Sequence, residues 1–378
     1  MMNKNKELAI LECNGDNINI IEVLDKVSWI RLEGILGENI YSWIFQRTGF
    51  VGRKNIEILQ KYIGINNRES LLNIEKGISI NDTIWFNRVD KMVSWDEISP
   101  YRNPLSRAIS NLALNCEYTG GDLRTPSPEF TTNGTYEKCC KRKNKKLVIL
   151  KSSGEKYSSI TGNEASSEII YNQMCEFLGI DEQDYVKYSL IEKINKNGYI
   201  VPYCQCNIFT NEKYGLLEFG HSKYKDMNIG LAISLFDKTV NRKRFRDMLI
   251  VDCITFNIDR HSGNYGFIFD NGTFELKAMA PIYDNNLCSL PRISFKKSEK
   301  EVGEEISKVY SRGTNTKFLE LSKLVMYPEM LDKLKDRAGE FKLDVSRLGS
   351  INTFDEHRTD WLNKIFNIQM ERIIKYNT

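Results

Sequence analysis

Residues 258–284, IDRHSGNYGFIFDNGTFELKAMAPIYD, form the stretch of sequence on which the fold prediction depends. The segment before it, 244–257, is largely apolar and predicts a buried helix. Two apolar runs, 265–269 and 274–279, flank an Asp-Asn-Gly turn and predict a β-hairpin, because Asn-Gly is a strong signal for such turns. The stretch therefore predicts a polar loop between a helix and a hairpin, and a second polar loop after the hairpin.

Three polar side chains in these loops suit the chemistry of phosphoryl transfer. Asp259 and Asn264 lie five residues apart in one loop, so both can face one cavity. The hairpin returns the chain, so Asp284 can face Asn264 across one metal ion. Transfer of the γ-phosphate of ATP needs a carboxylate that takes the proton of the acceptor hydroxyl, and carboxylate and amide ligands for Mg²⁺. Asp and Asn are common in any loop, so only the combination with helix and hairpin favours this chemistry.

The segment DRHSGN (259–264) resembles the DRHxxN catalytic loop of phosphoinositide kinases and HipA-like protein kinases. The later PIYDNN is similar to the metal-binding segment of HipA-like kinases. This resemblance implies that Asp259 is the catalytic base and that Asn264 and Asp284 bind Mg²⁺. It also implies that His261 braces the loop through a structural hydrogen bond.

The resemblance extends upstream to a predicted strand and helix. The strand LVILK (147–151) ends in Lys151, at the place of the family's ATP-binding lysine, which contacts the α- and β-phosphates. The helix 163–178 follows, with apolar residues mostly three and four apart. On this helix Glu168 is the expected ion-pair partner of Lys151, with Glu164 as the alternative. A lysine at a strand end is otherwise usually solvated.

The segment SPEFTTNGTYEK (127–138) takes the place of the family's phosphate-binding loop. The chain contains neither a Walker sequence nor a Gly-x-Gly-x-x-Gly sequence, which disfavours P-loop and Rossmann enzymes. By the resemblance, backbone N–H groups and side chains would hold phosphate, and Ser127 and the threonines are candidates for autophosphorylation. The alternative is a plain surface loop. The expected phosphate-binding residues are Thr131, Thr132, Gly134, Thr135 and Lys138.

The composition is that of an ordinary globular protein, with 378 residues of which 41% are hydrophobic and 27% charged. Lys and Arg number 53 and Asp and Glu 50, so no broad basic field is expected for nucleic acid or a membrane surface. No signal-peptide pattern and no run of about 20 apolar residues occurs, which favours a cytoplasmic location. The nine cysteines lack zinc-site spacing and predict reduced thiols.

The order of predicted elements favours an α+β, two-lobed protein-kinase-like fold. Residues 1–115 would form an N-terminal α/β extension of unknown role, with packing or substrate docking expected. Residues 116–208 would form a lobe with a small mixed sheet, including strands at 186–193 and 198–206. Residues 209–378 would form a mostly helical lobe, with a hinge near the boundary that contacts adenine.

The function predicted from these features is an ATP- and Mg²⁺-dependent kinase of the HipA-like serine/threonine type. A protein substrate is expected, and a toxin–antitoxin or defence setting with an antitoxin or regulatory partner is a hypothesis. A lipid or small-molecule kinase is an alternative, since the DRHxxN loop fits it equally well. A catalytically silent interaction module is another, but loss of the lysine or an aspartate would mark one, and none is lost.

Overall fold

The computed structural model is an α+β structure, as the sequence predicts. It describes residues 1–47, 58, 61–65, 67–115, 118, 120–132, 136–153, 163–194, 200–291, 293–349 and 356–378. Its strands are β1 (Met2–Asn3), β2 (Lys6–Glu7), β3 (Ala9–Asn14), β4 (Asn17–Val23), β5 (Ile84–Trp85), β6 (Lys138–Lys143), β7 (Lys146–Ser152), β8 (Tyr188–Ile194), β9 (Ile200–Asn207), β10 (Tyr214–Glu218), β11 (Gly266–Asp270) and β12 (Leu276–Met279).

Helices occur in both the first and the second half of the chain. They are α1 (Lys26–Leu36), α2 (Ile40–Gln46), α3 (Arg68–Glu75), α4 (Trp95–Ile98), α5 (Arg107–Asn115), α6 (Glu164–Phe177), α7 (Ile229–Phe236), α8 (Arg244–Thr255), α9 (Glu299–Ser307), α10 (Phe318–Val325), α11 (Pro328–Arg337) and α12 (Glu356–Asn377). Within the described residues, no helix is both long enough and apolar enough to span a membrane.

The chain divides into two compact units, each built from separate segments. The N-terminal unit comprises Met1–Lys151, Asn207–Lys225 and Phe267–Ala278. The C-terminal unit comprises Ser152–Cys206, Asp226–Gly266 and Met279–Thr378. The predicted boundary between an extension and a small lobe, at residue 115, falls inside the N-terminal unit.

The N-terminal unit is organised around helix α1 and short strands. The Asp25 side chain caps the helix by accepting the N–H of Ser28 at 3.2 Å. Trp29, Leu32 and Leu36 follow at three- and four-residue steps and are buried. They share one core with residues from the N-terminus and from the sheet β10-β11-β12. The first strands and the late hairpin thus fold together, although they are far apart in sequence.

Helix α5 joins the front of the chain to the segment expected to bind phosphate. Ser110 on this helix is buried, and its hydroxyl bonds to Glu129 Oε1 at 2.9 Å and to the carbonyl of Cys140 at 3.0 Å. Helix α5 also packs on β6. Residues before and after position 115 therefore share one core, and the separate role of residues 1–115 stays a prediction.

Strands β6 and β7 form an antiparallel hairpin. Strand β7 is one residue longer at each end than the predicted strand 147–151. The turn residues of the hairpin, Asn144 and Lys145, both have positive φ, 50° and 64°. Positive φ at both central positions matches the twist of the flanking strands. The register pairs Lys138 directly with Lys151 at the open end of the hairpin.

The C-terminal unit is built around helix α8. Every apolar residue of this helix from Phe245 to Ile254 is fully buried, as expected for a helix that is apolar on all sides. Helices α6, α7, α10 and α12 pack against it. The helix ends two residues before the predicted end because Phe256 takes the left-handed conformation, with φ of 55°.

Strands β8 and β9 lie within two residues of the predicted strands 186–193 and 198–206, and they pair in antiparallel fashion, with Tyr188 opposite Cys206 and Ile194 opposite Ile200.

Candidate active site

The loop that follows helix α8 is held by its own backbone and by one side-chain amide. The N–H of His261 donates to the carbonyl of Asp259 at 2.7 Å, and the N–H of Asn264 donates to the carbonyl of His261 at 2.9 Å. The Nδ2 of Asn264 also donates to the carbonyl of Asp259, at 2.7 Å. These bonds fold residues 259–264 into one compact turn, as the five-residue spacing requires.

Arg260 is the anchor of this loop and is completely buried. Its guanidinium binds Asp252 of α8 through two bonds, Nε to Oδ2 at 2.8 Å and Nη2 to Oδ1 at 2.9 Å. Burial alone would lower the pKa of Arg260, but the charge of Asp252, its hydrogen bond and the charges of other nearby groups together raise the pKa. Asn257 donates to the same carboxylate at 2.8 Å. The loop is therefore fastened to the end of the central helix.

The same guanidinium also fastens the segment after the hairpin. Nη1 of Arg260 donates to the carbonyl of Asn264 at 2.9 Å and to that of Tyr283 at 2.8 Å, and Nη2 donates to Oδ1 of Asn285 at 2.5 Å. The hairpin base is closed by a bond from the N–H of Ala280 to the carbonyl of Gly266, at 2.9 Å. The chain thus returns to the loop, and the residues on either side of Asp284 lie against it.

The sequence motifs assign no role to Arg260, Asp252 or Asn285. The available signal was Asp252 itself, a carboxylate that interrupts the apolar run 248–256, eight residues before an arginine. A buried charge needs a partner, so such an aspartate predicts a nearby cation.

Asp259, the expected base, is partly buried and lies near a second carboxylate. Its side chain is 36% exposed. Burial raises the pKa of its carboxyl and the charge of Asp284 adds to this, while the charges of His261 and of two arginines lower the pKa. The two carboxylates are therefore close enough to repel each other, which a bound divalent cation would relieve.

His261 is more exposed than a buried structural histidine, at 56% of its side chain. Its Nδ1 accepts the N–H of Gly263 at 3.0 Å, and its Nε2 lies 4.0 Å from Oδ2 of Asp259. The first contact lies within the loop, as a bracing role requires. That role stays a prediction.

Asn264 and Asp284 are the expected ligands of Mg²⁺, and that role stays a prediction. Because the Nδ2 of Asn264 is bonded to Asp259, and no described residue donates to its Oδ1, that oxygen is the atom available to a metal. Asp284 adopts the left-handed conformation with φ of 56°, and its N–H donates to the Tyr188 hydroxyl at 3.2 Å. Among the described residues, no group of three or more His, Cys, Asp or Glu side chains gathers as a metal site. One carboxylate and one amide oxygen suit Mg²⁺, which keeps waters and substrate phosphates as its other ligands.

Helix α6 supports the segment that carries Asp284. Glu168 is fully buried, and its Oε2 accepts the N–H of Asn285 at 2.8 Å. One residue earlier, the Ser167 hydroxyl bonds to the hydroxyl of Ser289 at 2.7 Å. Glu164 is also buried. The ion pair expected between Glu168 and Lys151 joins residues of the two units and stays a prediction.

In the N-terminal unit, two lysines meet at the open end of the β6–β7 hairpin. Lys138 and Lys151 are direct cross-strand partners, and each is only 7% exposed. Side chains at directly opposite positions lie on the same face, about 4.5–5.5 Å apart at Cβ, and like charges there repel. The expected contacts of both lysines with phosphate stay a prediction.

In the described part of the expected phosphate loop, two threonine hydroxyls donate to backbone carbonyls. The Thr131 hydroxyl donates to the carbonyl of Ile78 at 2.6 Å, and the Thr132 hydroxyl donates to that of Pro128 at 2.6 Å. A hydroxyl has one proton to donate. Phosphate binding by these hydroxyls stays a prediction, and it would require them to change partners.

Two of the expected phosphate residues, Gly134 and Thr135, lie outside the described residues. Ser127, the candidate for autophosphorylation, is fully buried and bonds to Glu129. Its modification stays a prediction and would require this turn to open.

Comparison with known proteins gives a short sequence match and a structural match of low TM-score. No family model matches the chain. The serine/threonine-protein kinase CtkA of Helicobacter pylori strain J99 is 30% identical over 102 residues, which span 23% of this chain and 31% of CtkA. The chain thus covers less than a third of this curated relative. The crystal structure of the Helicobacter pylori proinflammatory kinase CtkA aligns with a TM-score of 0.46 and 19% identity, covering 64% of this chain and 92% of that one. Neither match assigns the chain to a family.

Proposed function

We propose that the chain is an ATP-dependent serine/threonine protein kinase of the HipA-like kind that its motifs resemble. Asp259 is the base, and Asn264 and Asp284 are the ligands of Mg²⁺. The observation that carries the proposal is the Arg260 guanidinium, which binds the loop of Asp259 and the segment of Asp284 at once. The 102-residue match to a protein named a serine/threonine-protein kinase supports the class of acceptor.

The donors around the Arg260 loop fit the chemistry of this reaction. When bound, Mg²⁺ neutralises charge on the phosphates of ATP. Asn264 and Asp284 supply its protein oxygen ligands. Asp259 orients the acceptor hydroxyl and takes its proton as that oxygen bonds to the γ-phosphorus and ADP leaves. Lys138 and Lys151 contribute positive charge toward the phosphates.

The proposal is tested with Asp259→Asn and Asp284→Asn, each compared with Asp360→Asn. Asp360 is an exposed carboxylate on α12 and serves as a matched control. Each protein is incubated with γ-labelled ATP, Mg²⁺ and a cell lysate, and label is measured on protein bands and in a lipid extract. We expect Asp259→Asn to lower protein labelling by about 10²–10⁴-fold, the usual range for loss of a general base. We expect Asp284→Asn to abolish the stabilisation of the protein by millimolar Mg-ATP in a thermal shift.

Other outcomes of the same experiment contradict the proposal in distinct ways. Label in the lipid extract alone would favour a lipid kinase. No shift of the melting temperature of the wild-type protein by Mg-ATP would favour a silent interaction module. Near-normal turnover by Asp284→Asn would mean that the metal is held by other residues.

A further inference from the structure

A short hairpin, residues 311–316, lies against the candidate catalytic loop and belongs to no motif found in the sequence. The N–H of Ser311 donates to the carbonyl of Thr316 at 3.0 Å, and the N–H of Thr316 returns to Ser311 at 3.3 Å. Ser311 is fully buried, and the Thr316 hydroxyl donates to the carbonyl of Thr314 at 2.8 Å. The hairpin is therefore a formed element of the C-terminal unit.

Two contacts fix the hairpin to the loop of Asp259. The N–H of Arg312 donates to the carbonyl of Ile258 at 3.0 Å, directly before Asp259. The next residue, Gly313, is so close that an added Cβ would lie 1.8 Å from the carbonyl oxygen of Arg260. Only glycine fits such an approach without a shift of backbone. The backbone of Arg312 is thus held in place from both sides.

The hairpin also contains two buried hydroxyl groups that have no hydrogen-bond partner among the described residues. Within the described part of the chain, neither Oγ of Ser311 nor Oγ1 of Thr314 has a hydrogen-bond partner. Each such group costs about 1–3 kcal/mol in desolvation. A tight hairpin held at this cost beside candidate catalytic residues is typical of a segment placed for function and not for stability.

The side chain of Arg312 presents a positive charge to solvent beside the base. It is exposed, and no described residue makes a hydrogen bond or ion pair with it. Its guanidinium charge interacts with the carboxylate of Asp259, so the two side chains are near each other. Because the N–H of Arg312 is bonded to the carbonyl directly before Asp259, Arg312 lies beside the candidate base. The base is the group that meets the acceptor.

We infer that Arg312 selects a protein acceptor that carries an Asp or Glu side chain next to the phosphorylated hydroxyl. This inference rests on the proposed kinase function. A guanidinium is planar and always charged, and it binds a carboxylate through two parallel bonds, so it suits recognition of an acidic side chain better than a lysine would. Two carboxylates already line the site, and Arg312 offsets their repulsion toward an acidic acceptor.

The test uses the full chain and three synthetic peptides with the same central serine. The serine is flanked by Asp and Glu, by Ala and Gly, or by Lys and Arg. Initial rates with γ-labelled ATP give kcat and the KM of each peptide, and the KM of ATP is measured in parallel. The variants are Arg312→Ala, Arg312→Lys and Arg312→Glu. Arg242→Ala is the matched control, because Arg242 is also exposed but lies before α8, whose 12 residues span about 18 Å.

We expect the wild type to favour the acidic peptide over the neutral one by about tenfold in kcat/KM, the scale of one partly exposed charge-assisted contact. Arg312→Ala should raise the KM of the acidic peptide by a similar factor and leave the KM of ATP unchanged. Arg312→Lys should recover only part of the preference, and Arg312→Glu should shift it to the basic peptide. Arg242→Ala should behave as the wild type.

Three outcomes would overturn the inference while leaving the kinase proposal in place. An unchanged peptide preference in Arg312→Glu is the first. An equal loss of kcat for all three peptides in Arg312→Ala, with a changed KM of ATP, would place Arg312 on the transferred phosphate. No labelling of any peptide, while Mg-ATP still stabilises the wild type, would exclude acidic peptides as acceptors. If Mg-ATP stabilises no form of the protein, the proposed function itself fails.

Discussion

The two units of the chain each contain a buried arginine that binds an aspartate through two bonds and also binds backbone carbonyls. In the N-terminal unit, Arg47 binds Asp82 at 2.5 and 2.9 Å and the carbonyls of Gly77 and Ile84 at 3.0 and 2.6 Å. In the C-terminal unit, Arg260 makes the corresponding contacts. The local chemistry is the same, but the two arginines differ in how completely their donors are used.

Arg260 uses all five donors of its guanidinium, whereas Arg47 uses only part of its own within the described residues. Five acceptors meet the five N–H groups of Arg260. In the other cluster, Nε of Arg47 and Oε1 of the fully buried Glu75 have no hydrogen-bond partner among the described residues. Nδ2 of Asn285, beside Arg260, also has no hydrogen-bond partner among the described residues, so the two clusters differ in how completely the arginine itself is paired. An arginine with every donor paired is held in one geometry, whereas an unpaired buried donor carries a desolvation cost. We infer that the Arg260 cluster positions the site, and that the Arg47 cluster mainly holds the N-terminal unit together.

The largest effect is expected from Arg260→Lys. Lysine keeps the positive charge but lacks the planar guanidinium whose donors join the loops of Asp259 and Asp284, so the relative position of the two loops is no longer fixed. We expect kcat of the labelling reaction to fall by about 10²-fold, the cost of a small misplacement of catalytic groups. The matched control is Arg246→Lys, because Arg246 binds Asp237 in the same two-bond manner at a partly exposed site. An equal fall in kcat for both variants would contradict the assigned role.

A smaller effect on catalysis is expected from Arg47→Lys. Disruption of a buried ion pair costs on the order of 3–5 kcal/mol, so the free energy of unfolding should fall clearly. We expect kcat per folded molecule at saturating ATP to stay within about threefold of the wild type, because that value reports the chemical groups and not overall stability. Denaturant unfolding and active-site titration give the two quantities separately. A loss of kcat as large as that of Arg260→Lys would abolish the distinction between the clusters.

The smallest effect is expected from Glu75→Gln and concerns pH alone. Burial raises the pKa of Glu75 to about 8 in the folded protein, against 4.5 for the free side chain, while the Gly77 N–H and the charge of Arg47 act in the opposite sense. Between those pH values the folded state holds more protons than the unfolded state, so stability falls as pH rises.

Between pH 5 and pH 8.5, the melting temperature of Glu75→Gln should fall less with rising pH than that of the wild type. The control is Glu12→Gln, at an exposed position, whose melting temperature should fall as much as that of the wild type. An identical pH dependence in Glu75→Gln and the wild type would mean that Glu75 is ionised in the folded protein.

Much of the secondary structure follows from local residue patterns. The Asp-Asn-Gly turn of the late hairpin forms because Oδ1 of Asp270 accepts the N–H groups of Gly272 and Thr273 at 2.8 and 2.9 Å. Such bonds span three or four residues and need no distant partner. The helices at 164–177 and 244–255 likewise follow from apolar residues at helical spacing.

The identity of the candidate chemical groups was also accessible, since Asp259, Asn264 and Asp284 stand in a recognisable order along the chain. Their roles, the antitoxin partner and the expected hinge stay predictions. The sequence could not reveal how the groups are supported, because the contacts of Arg260 reach residues 8, 23 and 25 positions away.

The sequence by itself determined the turns, the apolar helices and the type of chemistry, because these depend on side-chain identity and on spacings of a few residues. Only the tertiary structure decided that Arg260 joins the two loops, that Gly313 packs on the carbonyl of Arg260, and that Lys138 lies opposite Lys151. It also decided that both units are built from separate segments of the chain. The physical reason is that buried polar groups must find partners wherever the fold brings them, and the pattern of a short segment does not contain the position of a distant one.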